Sequence, residues 1–169
     1  MSSTSTVQPG RVIRVASGVE STEQPAPVRD RRHRALEVFL GRWINEGYTI
    51  ATEQAPSLPI LTSDVYELAP GGFFVVHSAY GRVGETGVGG VEIIGVDGDA
   101  YLSTLYDCFG NVHSSRVEID GDVIRWIGAC TRCAATITDD GRTQIAHHEA
   151  SADGVTFAPS MDVTLRKVE

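Results

Sequence analysis

The sequence lacks several features that would assign it to a specialised class of protein. Its 169 residues contain no run of about 18 uncharged apolar residues, so no membrane-spanning helix is predicted. Three cysteines are too few, and odd in number, for a disulfide framework. Residues 1–19 have no continuous apolar segment of the kind found in a secretory signal. We therefore expect a reduced, cytoplasmic setting and no membrane partner.

Basic residues are scarce in most of the chain. Residues 35–169 contain seven Arg and one Lys against 19 acidic residues, whereas residues 1–34 carry a net charge of +3. Such an acidic region repels phosphate backbones, so we expect no nucleic-acid partner. With 41% hydrophobic and 21% charged residues, the composition excludes a fully disordered, collagen-like or coiled-coil chain.

The chain divides into an arm and one domain. Residues 1–28 are rich in Ser, Thr, Val and Pro and have no helical period, which predicts a flexible N-terminal arm. Its positive charge against the acidic remainder favours self-association, so a homodimer is one expected assembly. Residues 29–169 are predicted to form a single domain that begins with a helix, capped by Asp30 and ended by Gly41.

After Gly41 the apolar residues alternate with a period of two, and turn signals recur about every ten residues. Asp-Gly pairs at 97–98, 120–121, 140–141 and 153–154 favour tight hairpins between antiparallel neighbours. Closure of such a meander removes its exposed edges. The predicted fold is therefore all-β, an up-and-down antiparallel barrel of about ten strands with the N-terminal helix capping one end. The predicted strands are 42–51, 61–68, 73–80, 88–96, 100–107, 112–119, 122–129, 131–138, 143–151 and 155–167.

The turn positions also predict which side chains face the lumen, because neighbouring strand residues point to opposite faces. Two-residue loops at 120–121 and 140–141 place Ser115 opposite Trp126 and Cys133 opposite His148. The hairpin at 153–154 places Ala150 opposite Phe157. Together the three hairpins predict a lumen lined by His113, Trp126, Cys133, His148, Phe157 and Met161.

The direction of Glu92 depends on the length of the loop after it. A two-residue loop at 97–98 turns Glu92 inward onto the face of Ser103, where it would be the sharpest acid–base candidate in the chain. A three-residue loop turns it outward. Because unpaired buried acids are rare, we expect the outward glutamate. The direction of His77 stays open, since both faces of its strand are apolar.

Several segments resemble a known family: FLGRWINEGYT at 39–49, ELAPGG at 67–72, EIIGVDGD at 92–99, LYDCFGNV at 105–112 and SADGVTFAPSMDVTLRKV at 151–168. Over about 35–169 the chain is similar to the DUF1579 family of lipocalin-like barrels in the calycin superfamily, and in outline to the nitrobindins. The resemblance implies that Trp43 closes one barrel end beneath Arg166. Nitrobindins hold haem through a histidine near the C-terminus, and this chain has none after His148. A haem protein is therefore less favoured than a ligand-binding barrel or a cofactor-independent enzyme.

Two other sequence patterns suggest binding sites at first, but neither predicts one. The pair Cys130 and Cys133 has metal-site spacing, but a zinc site needs a second pair, and no metal is predicted. The glycine-rich stretch 81–95 lacks the lysine and following helix of a phosphate loop. It predicts instead a mobile loop at 81–87 at the barrel mouth, followed by a strand that bends.

Two functional hypotheses follow, neither requiring a cofactor. The first is a barrel that binds a small apolar or aromatic molecule in its lumen. Its predicted ligand-binding residues are Trp43, His113, Trp126, Cys133, His148, Phe157 and Met161. The second is a cofactor-independent cyclase, isomerase or hydrolase of secondary metabolism in the same lumen, with proton transfer by His148, His113 or Glu92.

Overall fold

Ten antiparallel strands close into a barrel in the computed structural model, which describes residues 26–168. Each strand pairs with the next along the chain, and the last pairs with the first, which confirms the predicted all-β fold. Residues 1–25, most of the predicted arm, lie outside the described residues. The strands are β1 (Gly41–Thr49), β2 (Pro59–Leu68), β3 (Phe74–Val83), β4 (Thr86–Asp97), β5 (Ala100–Asp107), β6 (Val112–Asp120), β7 (Val123–Gly128), β8 (Thr131–Thr138), β9 (Thr143–Ala150) and β10 (Ala158–Lys167).

A short helix precedes the barrel and covers one end. Helix α1 (Arg31–Ala35) continues as a 3₁₀ turn (Leu36–Phe39). As predicted, Asp30 is its N-cap, accepting hydrogen bonds from the backbone N–H groups of Arg32 and His33. Leu36 and Phe39 are fully buried inside the barrel end. None of the helices within residues 26–168 has the length and hydropathy needed to span a bilayer.

The barrel therefore has a capped end and an open end. Helix α1 lies beside the β2–β3 and β4–β5 turns, where the His33 ring meets the edge of Phe73 and Tyr101 donates a hydrogen bond to the Arg32 carbonyl. Strands alternate in direction, so the β1–β2, β3–β4, β5–β6, β7–β8 and β9–β10 connections lie at the opposite end. We call the half beneath the helix the capped half and the other the open half.

Burial of the inward side chains changes along the barrel axis. The capped half holds the largest fully buried side chains: Leu36, Phe39, Trp43, Val75, Ile94 and Ile124. Toward the open end, the inward side chains of Leu105, Cys133, His148 and Met161 are only half-buried. The most tightly packed part of the hydrophobic core thus lies in the capped half, and the open half is partly accessible to solvent along β5, β8, β9 and β10, although Ile60 on β2 is buried there.

The tight turns begin one residue later than predicted. Asp97 pairs with Ala100, and Asp120 pairs with Val123, so both two-residue loops start at the glycine. Gly98 and Gly121 have φ values of 58° and 57°, which suit the first loop position of a type II′ turn. The predicted partners across 120–121 were therefore wrong by two residues, with Trp126 opposite Val117, although the inward faces were right.

Of the two later hairpins, one has the predicted register and the other does not. Cys133 lies opposite His148, which confirms the register predicted around 140–141. Around 153–154 the loop is longer than predicted, and Ala150 pairs with Ala158 instead of Phe157. A bulge between Pro159 and Met161 then restores the inward direction of Met161.

The glycine-rich region forms strand where a mobile loop was predicted. Residues 81–83 belong to β3 and 86–87 to β4, joined by the two residues 84–85. A Cβ atom on Gly81 would lie 2.1 Å from the Leu61 carbonyl oxygen, so the backbones of β2 and β3 approach as closely as only glycine permits. This glycine serves close strand approach rather than loop mobility.

Candidate functional site

A cluster of polar side chains spans the lumen where the capped half meets the open half. It consists of Asp64, His77, Glu92, Ser103 and Trp126, and we call it the polar cluster. His77 on β3 and Glu92 on β4 are direct register partners, and Asp64 comes from the adjacent β2. Their inward direction follows from strand alternation, because Tyr66, Val75 and Ile94 on the same faces are buried.

His77 joins the two carboxylates. Its Nε2 lies 3.0 Å from Asp64 Oδ1, and its Nδ1 lies 2.9 Å from Glu92 Oε2. Both carboxyl groups are buried, with only 4% of Asp64 and 8% of Glu92 exposed. Burial lowers the pKa of His77, but the hydrogen bonds to Asp64 and Glu92 outweigh it and raise the pKa to about 9. At neutral pH the ring is an imidazolium that donates from both nitrogens.

The remaining carboxylate oxygens also accept hydrogen bonds. Glu92 Oε1 accepts from the indole N–H of Trp126 at 3.2 Å and from the hydroxyl of Ser103. Asp64 Oδ2 accepts from the hydroxyl of Thr62 at 2.6 Å. All of these contacts come from donors, so both carboxyl groups are bonded as carboxylates. Two carboxylates and one imidazolium leave the cluster with one net negative charge.

The aromatic ring of Tyr66 supports the cluster from the capped side. It stacks on the His77 ring at a centroid distance of 3.9 Å with 6° between the planes. Tyr66 in turn stacks on Phe39, which ties His77 to the core beneath the helix. Burial and the charges of Glu92 and Asp64 raise the pKa of the Tyr66 hydroxyl well above its ordinary value, so it stays neutral.

The expectation that Glu92 faces outward was wrong. The loop after it has two residues, 98–99, and this even length places Glu92 on the same face as Ser103. The argument from rare buried acids failed because Glu92 is not unpaired; His77, Ser103 and Trp126 all bond to it. The open direction of His77 is likewise resolved as inward.

Sequence reasoning missed Asp64 and Tyr66 as members of this site. Strand β2 was predicted, and Asp64 and Tyr66 are two residues apart, so they share a face. The signal was therefore present in the alternation of Asp64 and Tyr66 with Val65. It was not decisive because the loop between β2 and β3, 69–73, is longer than a two-residue hairpin, so the Pro70-Gly71-Gly72 turn signal did not fix which face points inward.

A second pair of inward groups lies nearer the open end. Cys133 Sγ is 3.5 Å from His148 Nε2 across β8 and β9. Burial lowers the pKa of His148 to about 4, and burial together with the charge of Glu92 raises the pKa of Cys133 to about 12. Both groups are neutral at pH 7. This pair therefore holds a neutral imidazole and a thiol rather than a thiolate nucleophile.

The structure separates the other predicted site residues. Met161 lines the open half beside His148, its register partner. His113 lies at the rim of the open end, 49% exposed and hydrogen-bonded to Asp107. Trp43 lies fully buried in the capped half and donates to the Phe39 carbonyl. The cation over the Trp43 ring is Lys167, whereas Arg166 lies near Glu46, which corrects the partner implied by the resemblance.

Phe157 does not face the lumen. It precedes β10, and its ring lies 3.6 Å from the guanidinium carbon of Arg132, a residue on the outer face of β8. The inward prediction was wrong because the hairpin loop extends through residue 157. Within residues 26–168, no group of three or more His, Cys, Asp or Glu side chains has an arrangement that would hold a metal ion.

Comparison with known proteins supports the barrel fold and does not assign a function. The chain is similar to the crystal structure of Rv2717c from M. tuberculosis, with a TM-score of 0.63 and 15% identity over 84% of this chain and 100% of that one. It also matches a protein of unknown function from the DUF3598 family of Nostoc punctiforme, at a TM-score of 0.46 and 15% identity, over 79% of this chain and 48% of that one. Scans against protein-family models and curated proteins find no match. At this identity the likeness to Rv2717c shows a shared fold alone.

Proposed function

We propose that the chain is a lipocalin-like barrel that binds a small apolar or aromatic molecule in the open half of its lumen. The observation that carries the proposal is the change in burial along the barrel axis. The largest fully buried side chains all lie in the capped half, whereas Leu105, Cys133, His148 and Met161 on the walls of the open half are only half-buried; Ile60 on β2 is the buried exception near the open end. Because a packed core buries its side chains, half-buried inward residues indicate room for a ligand.

The walls of the open half suit such a molecule. Leu105, Trp126 and Met161 supply apolar surface, and the polar cluster forms the floor. An aromatic ligand that buries about 200 Å² gains on the order of 5 kcal/mol before the costs of association are subtracted. Among the predicted ligand-binding residues, Trp126, Cys133, His148 and Met161 would contact it directly, and His113 would stand at the entrance.

The proposal keeps two further expectations. Resemblance to the DUF1579 lipocalin-like barrels accords with the closed barrel, and we retain it as a proposal about family. The three cysteines are free, which supports a reducing, cytoplasmic setting.

The test is titration with N-phenyl-1-naphthylamine, an uncharged apolar dye that becomes fluorescent in apolar surroundings. We expect saturable binding with one dye per chain. Ala79 is the next lumen-facing residue after His77 toward the open end, so Ala79→Phe fills the site and weakens binding at least tenfold. The matched control is Ala134→Phe on the outer face of β8, which leaves binding unchanged.

A competing site defines the contradicting result. A groove on the outer surface of β1, β2, β9 and β10 is lined in part by Tyr48, Leu61 and Ile145. Dye bound there would be insensitive to Ala79→Phe. Equal affinity of the wild type and Ala79→Phe, or no binding to the wild type, would refute the lumen as the ligand site.

A second candidate is a proton-transfer enzyme, favoured by the buried, inward carboxylate of Glu92. His77, Ser103 and Trp126 hold this carboxylate in place, as a general base requires. The test follows deuterium exchange at the carbon beside the carbonyl of 1-tetralone in D₂O by NMR. Exchange faster than in buffer, and lost in Glu92→Gln, supports the enzyme; exchange at the buffer rate with the wild type removes it.

A further inference from the structure

The lumen of the open half carries a net negative charge. The polar cluster carries one net negative charge, and Asp107, near the rim, adds another carboxylate. Hydrogen bonds from Asn111, His113 and Phe109 lower the pKa of Asp107 to about 2. His148 and Cys133 are neutral at pH 7.

The cations of the described chain lie elsewhere. Strand alternation places Arg82, Arg116, Arg125, Arg132 and Arg166 on the outer face, opposite their inward neighbours. Lys167 lies over Trp43 at the capped end, where Arg42 at the start of β1 and Arg142 just before β9 also lie, and the arginines of residues 29–34 belong to the helix and the residues around it. Over residues 26–168, then, no arginine or lysine points into the open half to balance its carboxylates.

The side chains of the polar cluster can accept further hydrogen bonds but have no donor to spare. Both N–H groups of His77, the indole N–H of Trp126 and the hydroxyls of Ser103 and Thr62 are all directed at the two carboxylates. No polar hydrogen of these side chains is left for a ligand. Each carboxylate oxygen has two lone pairs, and Asp64 Oδ1, Asp64 Oδ2 and Glu92 Oε2 each accept a single bond, so the cluster offers only acceptors.

One buried polar atom beside the polar cluster has no hydrogen-bond partner. The Oδ1 atom of Asn45 is buried and has no hydrogen-bond partner, and Asn45 lies next to Thr62 in the register of β1 and β2. An amide can turn either its oxygen or its NH₂ group toward a ligand. Asn45 therefore supplies a further hydrogen bond to a ligand. The carboxylates of Asp64 and Glu92 determine which charge the ligand's polar group must carry.

From this placement we infer that the ligand is an amphipathic cation: an apolar, aromatic-sized body with a protonated amine that faces Asp64 and Glu92. The inference rests on the proposed binding function and adds the charge class of the ligand. It excludes carboxylate ligands of the same shape, because a carboxylate would meet like charge and the lone pairs of the polar cluster, whose own donors are all engaged.

The test compares three ligands that share one apolar body: 2-naphthylmethylamine, 2-naphthylmethanol and 2-naphthoate. Each is titrated into the wild-type protein at pH 7 by calorimetry. One net charge within about 8 Å of the ligand's polar group predicts that the amine binds at least roughly tenfold more tightly than the alcohol, and the carboxylate at least roughly tenfold more weakly. A carboxylate that binds as tightly as the amine overturns the inference while leaving the binding function intact. Failure of all three ligands to bind refutes the binding function itself.

Variants then locate the charge. Glu92→Gln removes the net charge of the polar cluster, so the ratio of amine to carboxylate affinity falls at least tenfold; Asp64→Asn gives the same fall and serves if Glu92→Gln does not fold. The control Glu46→Gln removes an equal charge from the exposed outer face of β1 and leaves the ratio within twofold. An unchanged ratio in both cluster variants would overturn the assignment.

Discussion

Replacement of His77 by phenylalanine is the sharpest perturbation of the polar cluster. Phenylalanine preserves a ring that stacks on Tyr66, but it removes both N–H donors and the positive charge. Asp64 and Glu92 are then left as two buried carboxylates that face one another without a counter-charge. The variant thus tests electrostatics with little change in packing.

The expected cost is large, and two routes give a similar size. Removing one partner of a buried ion pair costs roughly 3–5 kcal/mol. Independently, the hydrogen bonds to Asp64 and Glu92 raise the pKa of His77 from 6.5 to about 9, against the lowering effect of burial. That shift corresponds to about 3 kcal/mol of stabilisation when the ring is protonated. We therefore expect His77→Phe to lose roughly 3–5 kcal/mol in free energy of unfolding at pH 7.

Urea denaturation at pH 7 and pH 9 measures this loss. At pH 9 the wild-type His77 ring is itself about half deprotonated and has lost much of its contribution, so the deficit of the variant should shrink by about 1 kcal/mol or more. The control is His147→Phe on the outer face of β9, whose exposed contact with Asp162 is worth no more than about 1 kcal/mol. A loss below about 1 kcal/mol for His77→Phe, or one that does not depend on pH, would refute the reasoning.

Three further predictions concern pH, backbone approach and helix capping. The contribution of His77 is complete below pH 6.5 and is lost as the pH rises through about 9, whereas His148, held neutral by burial, destabilises the fold as the pH falls from 6.5 toward 4. Urea denaturation across this range should thus show maximal stability near pH 6.5, and a flat profile between pH 4 and 9 contradicts it. Gly81→Ala places a Cβ atom 2.1 Å from a carbonyl oxygen and should lower the free energy of unfolding by at least about 2 kcal/mol. The control Gly87→Ala, with nothing within 4 Å of its Cβ, should cost less than about 1 kcal/mol. Equal shifts in the melting temperatures of the two variants would contradict the prediction. Asp30→Ala removes the N-cap and should cost about 1 kcal/mol by the same denaturation assay, and no loss would show that the cap contributes nothing.

Much of the barrel was predictable because its signals are local. The alternation of apolar residues and the Asp-Gly turns gave ten strands close to those observed, since each tight turn forces its two strands to pair. The errors lie where the local signal was ambiguous. An Asp-Gly pair fixes a hairpin but leaves open whether Asp or Gly begins the loop, and that ambiguity shifted the register at 120–121 by two residues.

The candidate site was harder to predict because its members satisfy one another across strands. Glu92 looked too costly to bury when considered alone, and only the presence of His77, Ser103 and Trp126 around it makes its burial tolerable. Cys133 and His148 were predicted as a pair, since one hairpin of known register joins them. Asp64 and His77 were not, because the loop between their strands is longer than a tight turn and both faces of β3 carry apolar residues, which left the inward face undecided.

A crystal structure of the protein with 2-naphthylmethylamine would test the central claim most directly. We expect the naphthalene ring to lie in the open half against Trp126 and Met161, with the ammonium group within hydrogen-bond distance of the Asp64 or Glu92 carboxylate. A ring bound in the outer groove beside Tyr48, or an open half filled by the protein's own side chains, would contradict it.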